Sequence, residues 1–194
     1  MDMNDDVAKK KCEDAHKAYT SGNYADAVSA YSDLAESGYS NCQLFLGELF
    51  YYGKHIEQDS AKAVYWLGKA AENEEAVAQF LLGKLSAEKA NYTEAYHWYE
   101  KASNQGYAPA IYKMGLYQEK GRLGIVNKNK ARQLYREAAK KGYVYAMRTL
   151  GLRLITGSGG ILGLFEGVMW LFKMVARIFK IGHKNDWDSE AIRT

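Results

Sequence analysis

Lys62-Ala63-Val64-Tyr65-Trp66-Leu67-Gly68-Lys69-Ala70-Ala71 is written again, with changes, at Glu94-Ala95-Tyr96-His97-Trp98-Tyr99-Glu100-Lys101-Ala102-Ser103. It returns at Lys130-Ala131-Arg132-Gln133-Leu134-Tyr135-Arg136-Glu137-Ala138-Ala139. A fourth, heavily altered copy is Glu166-Gly167-Val168-Met169-Trp170-Leu171-Phe172-Lys173-Met174-Val175. Anchored on the small residue, the copies stand at 63, 95, 131 and 167, in steps of 32, 36 and 36. An internal period of this size marks stacked helical hairpins, each too small to bury its apolar stripe alone. The chain therefore reads as all-α: an α/α solenoid of about five hairpins, wound as a right-handed superhelix and ending in a long amphipathic apolar helix. Residues 1–158 form the repeat array in this reading. Residues 159–184 are a Gly-rich turn and the long helix that completes the last repeat, and 185–194 are a polar tail.

The 194 residues include a single proline, Pro109, as expected of a mostly helical chain. Two cysteines, Cys12 and Cys42, provide neither a disulfide framework nor metal-ligand spacing, and reduced cytosolic thiols are the expectation. The start, Met1-Asp2-Met3-Asn4-Asp5-Asp6, is acidic and lacks an apolar core segment, so no secretory signal is read there. The expected location is cytoplasmic, with peripheral attachment at the inner membrane face as its variant.

The net charge of +3 conceals an asymmetry. Residues 1–119 hold 11 Lys/Arg against 18 Asp/Glu, and residues 120–184 hold 14 against 2. A basic third on an acidic protein points to a polyanionic partner: anionic lipid, nucleic acid or an acidic protein face. The alternative is a solvated surface with uneven charge.

In chain order, residues 4–19 read as a first helix, broken at Ser21-Gly22-Asn23, and a second begins at Tyr24. Ala27 lies 36 residues before Ala63 and anchors a further repeat. The turn Gly22-Asn23-Tyr24 matches Ala90-Asn91-Tyr92. The pair Gly-Tyr closes hairpins at Gly38-Tyr39, Gly106-Tyr107 and Gly142-Tyr143, as a left-handed helix stop requires. Asn73-Glu74-Glu75 lacks the pair, so a different junction is expected there. Asp59 and Asn127 stand where helix N-caps are needed. Gly47, Gly83, Gly115 and Gly151 recur in phase, at 36, 32 and 36, inside the first helix of each hairpin. A helical glycine costs about 1 kcal/mol against alanine, so four in phase require a close helix approach.

The combined pattern, Gly-Tyr…Leu-Gly…Asp59-x-x-Lys62-Ala63-x-x-Trp66-x-x-Lys69-Ala70-Ala71, resembles Sel1-like repeats, and the short-loop hairpins resemble the related tetratricopeptide repeats. The resemblance covers about 5–176. It implies an α/α solenoid that holds protein partners together, in signalling complexes or bacterial envelope pathways, with no catalytic residues to carry over.

The last helix departs from that pattern. Its alanines become Met174-Val175, and it runs on through Ala176-Arg177-Ile178-Phe179-Lys180-Ile181. At helical pitch Glu166, Lys173, Arg177, Lys180 and Lys184 fall within about 60° of one another, and the rest of the circumference is apolar. A solenoid is expected to end in a polar cap, so this face requires a cover. Three covers compete: an anionic membrane surface, a protein (including a second copy pairing through 161–181), or the helix's own neighbours. The docking residues in this reading are Phe165, Met169, Trp170, Phe172, Lys173, Arg177, Phe179 and Lys180. A membrane span is not expected, because Lys173, Arg177 and Lys180 would sit inside the bilayer.

Catalytic chemistry is not indicated. His16, His55, His97 and His183 are scattered, and none has a ligand at metal spacing. Gly157-Ser158-Gly159-Gly160 lacks the strand and the Lys of a phosphate loop. Neither cofactor nor metal is expected. Tyr112 and Tyr145 are candidate peptide contacts on a concave face. Nucleic acid, through Lys128, Lys130, Arg132, Arg136, Lys140 and Lys141, ranks third, because no aromatic binding motif is interleaved. The reading is a non-enzymatic protein-interaction scaffold that docks through its C-terminal hairpin. The alternative is a homodimerising regulatory protein of an envelope or signalling pathway.

Overall fold

The computed structural model describes residues 3–157 and 160–182. The junction placed at 158/159, the polar tail 185–194, His183 and Lys184 fall wholly or partly outside the described residues. Ten helices and no strand occur among those residues. They are α1 (Met3–Thr20), α2 (Tyr24–Glu36), α3 (Ser40–Tyr52), α4 (Ser60–Glu72), α5 (Ala76–Glu88), α6 (Tyr92–Asn104), α7 (Ala108–Lys120), α8 (Lys128–Lys140), α9 (Val144–Thr156) and α10 (Gly160–Gly182). The fold is all-α, made of helical hairpins of the α/α solenoid type. It divides into two compact units, Met1–Lys101 and Ala102–Thr194.

In the first unit, α4 shows how the repeat makes a helix. Asp59 accepts from the amides of Ala61 and Lys62 at 3.0 Å each and caps the N-terminus. Ala63, Trp66, Leu67, Ala70 and Ala71 then follow at i, i+3, i+4, i+7 and i+8, and all are buried. In the second unit, α8 repeats the device. Asn127 caps it through the Lys130 amide, and Ala131, Leu134, Tyr135, Ala138 and Ala139 form the same buried stripe.

The phased glycines receive a side chain from the helix that follows. A Cβ on Gly47 would stand 2.6 Å from Leu67 Cγ, and one on Gly83 2.6 Å from Tyr99 Cε1. On Gly115 it would stand 2.6 Å from Tyr135 Cε1, and on Gly151 2.9 Å from Leu171 Cγ. The intruding residue is always four beyond the small anchor, one turn along the same face. The sequence reading placed the close approach correctly but missed the residue that fills it. Ala15, buried in the core of the first unit, takes the corresponding place in α1, 12 residues before Ala27 as Gly83 is before Ala95.

The Asn73-Glu74-Glu75 junction corrects the expectation of a different build. Glu74 holds φ 60, the left-handed conformation that Gly38, Gly106 and Gly142 hold in their turns. The amide of Glu75 reaches back to the Ala70 carbonyl as that of Tyr39 does to Leu34. The backbone hydrogen bonds impose the stop, and a non-glycine residue bears its steric cost.

Candidate functional site

The candidate site is α10, and its sequence decides how it sits. Gly163, Gly167, Trp170, Leu171 and Met174 form a stripe at helical spacing that is buried or half-buried, and α10 packs along α9. Two glycines meet across this contact: a Cβ on Gly167 would lie 2.7 Å from the Gly151 carbonyl oxygen, and one on Gly151 3.0 Å from that of Gly167. Where Gly83 and Gly115 face the carbonyls of Ala95 and Ala131, Gly151 faces that of another glycine, so the backbones approach directly.

Trp170 corrects the sequence reading. It was expected among the docking residues, but it is 8% exposed and lies on the inward stripe. Lys173 Nζ stands 4.8 Å over its ring. Glu166, one turn earlier, accepts from Arg136 Nη2 of α8 at 2.9 Å. The Arg136 hydrogen bond, chiefly, holds the Glu166 carboxyl below the usual glutamate range. Arg177 lies across the α8–α9 turn, its guanidinium 2.8–2.9 Å from where a Gly142 Cβ would stand. The basic stripe therefore ties α10 to its own unit as well as meeting solvent. Lys180 is exposed.

The opposite side of α10 is apolar and open. Phe165, Phe172 and Phe179 are 71%, 74% and 69% exposed, and Met169 is half exposed. With Ile161, Val168 and Val175, also exposed, the three phenylalanines form one line at steps of 4, 3, 4, 3 and 4. That is the 3.5-residue period of a helix-pairing seam, about 27 Å long at 1.5 Å per residue. Phenylalanine occupies one seam position throughout and a β-branched residue the other. The flanking positions Leu162, Met169 and Ala176 on one side and Leu164, Leu171 and Ile178 on the other carry no charge. Lys173, Arg177 and Lys180 centre about 130° around the helix from the seam. Sequence reasoning treated this circumference as undivided, although the 4-3 spacing was there to count. Among the described residues, no helix is long and apolar enough to cross a membrane.

Tyr112 and Tyr145 belong to a tyrosine cluster of the second unit. Tyr112 shares a hydrogen bond with Thr149 at 3.1 Å, and its ring lies 5.5 Å from Tyr135 and 5.4 Å from Tyr143, which meets Tyr145 at 5.5 Å. Tyr112 and Tyr145 are both half-buried. Tyr135 donates to Glu119 at 2.9 Å, and Arg153 binds the same oxygen at 2.6 Å. These three, with Lys128, Arg132, Leu150 and Thr156, line a cleft of about 200 Å³. An open groove of about 870 Å³ in the first unit is lined by residues that include Tyr24, Phe50, His55 and Lys62. No group of three or more His, Cys, Asp or Glu residues converges as a metal site among the described residues.

A comparison with curated proteins returned no match. Among solved structures, a Sel1 repeat protein from Oxalobacter formigenes is 30% identical with a TM-score of 0.71, over 77% of this chain and 61% of that one. The protective antigen c5321 of uropathogenic Escherichia coli, which displays an SLR fold, is 26% identical with a TM-score of 0.74, over 86% of this chain and 38% of that one. The chain thus spans less than two thirds of either protein's length. MamA, 24% identical with a TM-score of 0.56 over 87% of this chain and 96% of its own, shares the fold. The Sel1 repeat family matches residues 40–74, 76–107 and 108–143. With three consecutive copies across more than half its length, each carrying the phased glycine and its intruding partner, the chain belongs to the Sel1 repeat family.

Proposed function

We propose that this protein is a non-enzymatic interaction scaffold that associates with a second copy of itself through the outward seam of α10. Sel1 repeats generally serve as scaffolds for protein–protein interaction. The observation that carries the reading is the line Ile161, Phe165, Val168, Phe172, Val175 and Phe179, exposed at coiled-coil spacing. A surface that repeats every 3.5 residues fits another helix, and with no charge on the seam or its flanks two identical faces meet without repulsion. Exposed apolar area along this face amounts to roughly 800–1,000 Å² per copy, against about 800 Å² that each partner contributes to a stable interface and about 300–600 Å² for the largest patch of an ordinary monomer.

A second reading, an anionic membrane surface, is favoured by Lys173, Arg177 and Lys180 beside the apolar face. Light scattering over a concentration series, paired with sedimentation on anionic and neutral vesicles at two salt concentrations, separates the two. The dimer reading expects association that Phe172→Glu abolishes and lipid leaves unchanged. Salt-sensitive pelleting with anionic vesicles alone replaces it with the membrane. A monomer indifferent to both refutes the pair.

A further inference from the structure

The fold brings the chain's two cysteines together. Cys12 of α1 and Cys42 of α3 are 30 positions apart in sequence, yet their Sγ atoms lie 4.0 Å apart, both as free thiols. The repeat shows that Cys42 is a departure. Ala78, Ala110 and Ala146 follow it at steps of 36, 32 and 36, and all three are fully buried. The site demands a small residue, and alanine meets the demand three times. Cysteine meets it too but adds a sulfur, and that sulfur faces the other thiol. Cys12 likewise stands three residues before Ala15, where Leu44, Phe80 and Tyr112 stand before their glycines.

We propose that Cys12 and Cys42 are an oxidisable dithiol that a small-molecule disulfide closes into an intramolecular bond tying α1 to α3. Closure brings the sulfurs about 2 Å nearer, to the 2.05 Å of a disulfide. The order of events follows from access. Cys12 is half-buried, whereas Cys42 is 3% exposed, and burial first, then the neighbouring Cys12, push its thiol up to about 12. Cys12, as thiolate, therefore attacks one sulfur of the incoming disulfide. That S–S bond breaks, and one small thiolate leaves and takes up a proton. Cys42 then gives its proton to water, attacks Cys12 Sγ in the mixed disulfide, and expels the second small thiolate, which takes up a proton. Two protein thiols are oxidised and one small disulfide is reduced to two thiols. The product encloses α2 in a covalent loop and narrows the unfolded ensemble of the first unit.

The test incubates the folded protein with oxidised glutathione, then denatures it, alkylates it and weighs it. The expected product has no alkylated thiol, a mass lower by about 2 Da, monomeric mobility on a non-reducing gel and a melting temperature raised by several degrees, all reversed by dithiothreitol. Cys42→Ala, which restores the residue of the other repeats and so preserves folding, is expected to stop at one glutathione on Cys12. Two alkylated thiols, a persistent glutathione adduct on the unsubstituted chain, or a disulfide-linked dimer overturns the proposal.

Discussion

Gly83→Ala and Gly68→Ala make the same chemical change in neighbouring helices of the first unit, and the structure gives them different outcomes. Each replaces a helix-interior glycine and gains about 1 kcal/mol of helix propensity. A Cβ at Gly68 meets nothing within 4 Å, so that variant keeps the gain. A Cβ at Gly83 meets Tyr99 Cε1 at 2.6 Å, Tyr99 Cδ1 at 2.7 Å and the Ala95 carbonyl oxygen at 3.1 Å. The ring cannot withdraw: Tyr99 is 1% exposed and Phe80 packs 5.7 Å from it. Overpacking costs about 1–3 kcal/mol. Gly83→Ala therefore falls between neutral and about 2 kcal/mol destabilised, and the two variants differ by the overpacking cost alone, about 1–3 kcal/mol. Urea unfolding followed by circular dichroism reads this as a midpoint difference at constant slope. Tyr99→Ala destabilises on its own but is expected to remove the penalty of Gly83→Ala, which a double-mutant cycle reports as coupling. Equal stabilisation by both glycine substitutions would refute the notch.

Trp170→Ala is expected to cost about 3–5 kcal/mol in thermal or urea unfolding, whereas Phe172→Ala, two residues on but pointing outward, stays within about 0.5 kcal/mol in the monomer. Replacing Glu74, at φ 60, by glycine relieves a left-handed strain and raises stability by about 1 kcal/mol, measured by denaturant midpoint. Glu166 has its carboxyl pKa lowered in the folded state, so the unfolded chain binds its proton more readily. Its contribution is complete above the ordinary value of 4.5 and is lost as pH falls through the depressed folded value. Glu166→Gln is expected to flatten that part of the acid-unfolding profile, recorded by fluorescence.

Much of this molecule was open to a reader of the sequence, because a repeat tests each guess against its own copies. One glycine in a helix is ambiguous, but four in phase with four small anchors are a packing rule. The caps Asp59 and Asn127 were legible because local hydrogen bonds decide them. The Glu74 junction was misread because backbone geometry, held by the Glu75 amide on Ala70, overrode a residue type that disfavours it.

For α10, composition and charge were enough to show an unpartnered apolar face with a basic flank, since amphipathic periodicity is a property of the chain alone. Which apolar residues point outward was another matter. A helix that is oily around most of its circumference has no unique orientation until a neighbour is chosen. The contact of Gly151 with Gly167 makes that choice, turning Trp170 in and Phe165, Phe172 and Phe179 out. The meeting of Cys12 with Cys42 is likewise a product of packing, because residues 30 apart on helices separated by α2 become neighbours only in the folded unit.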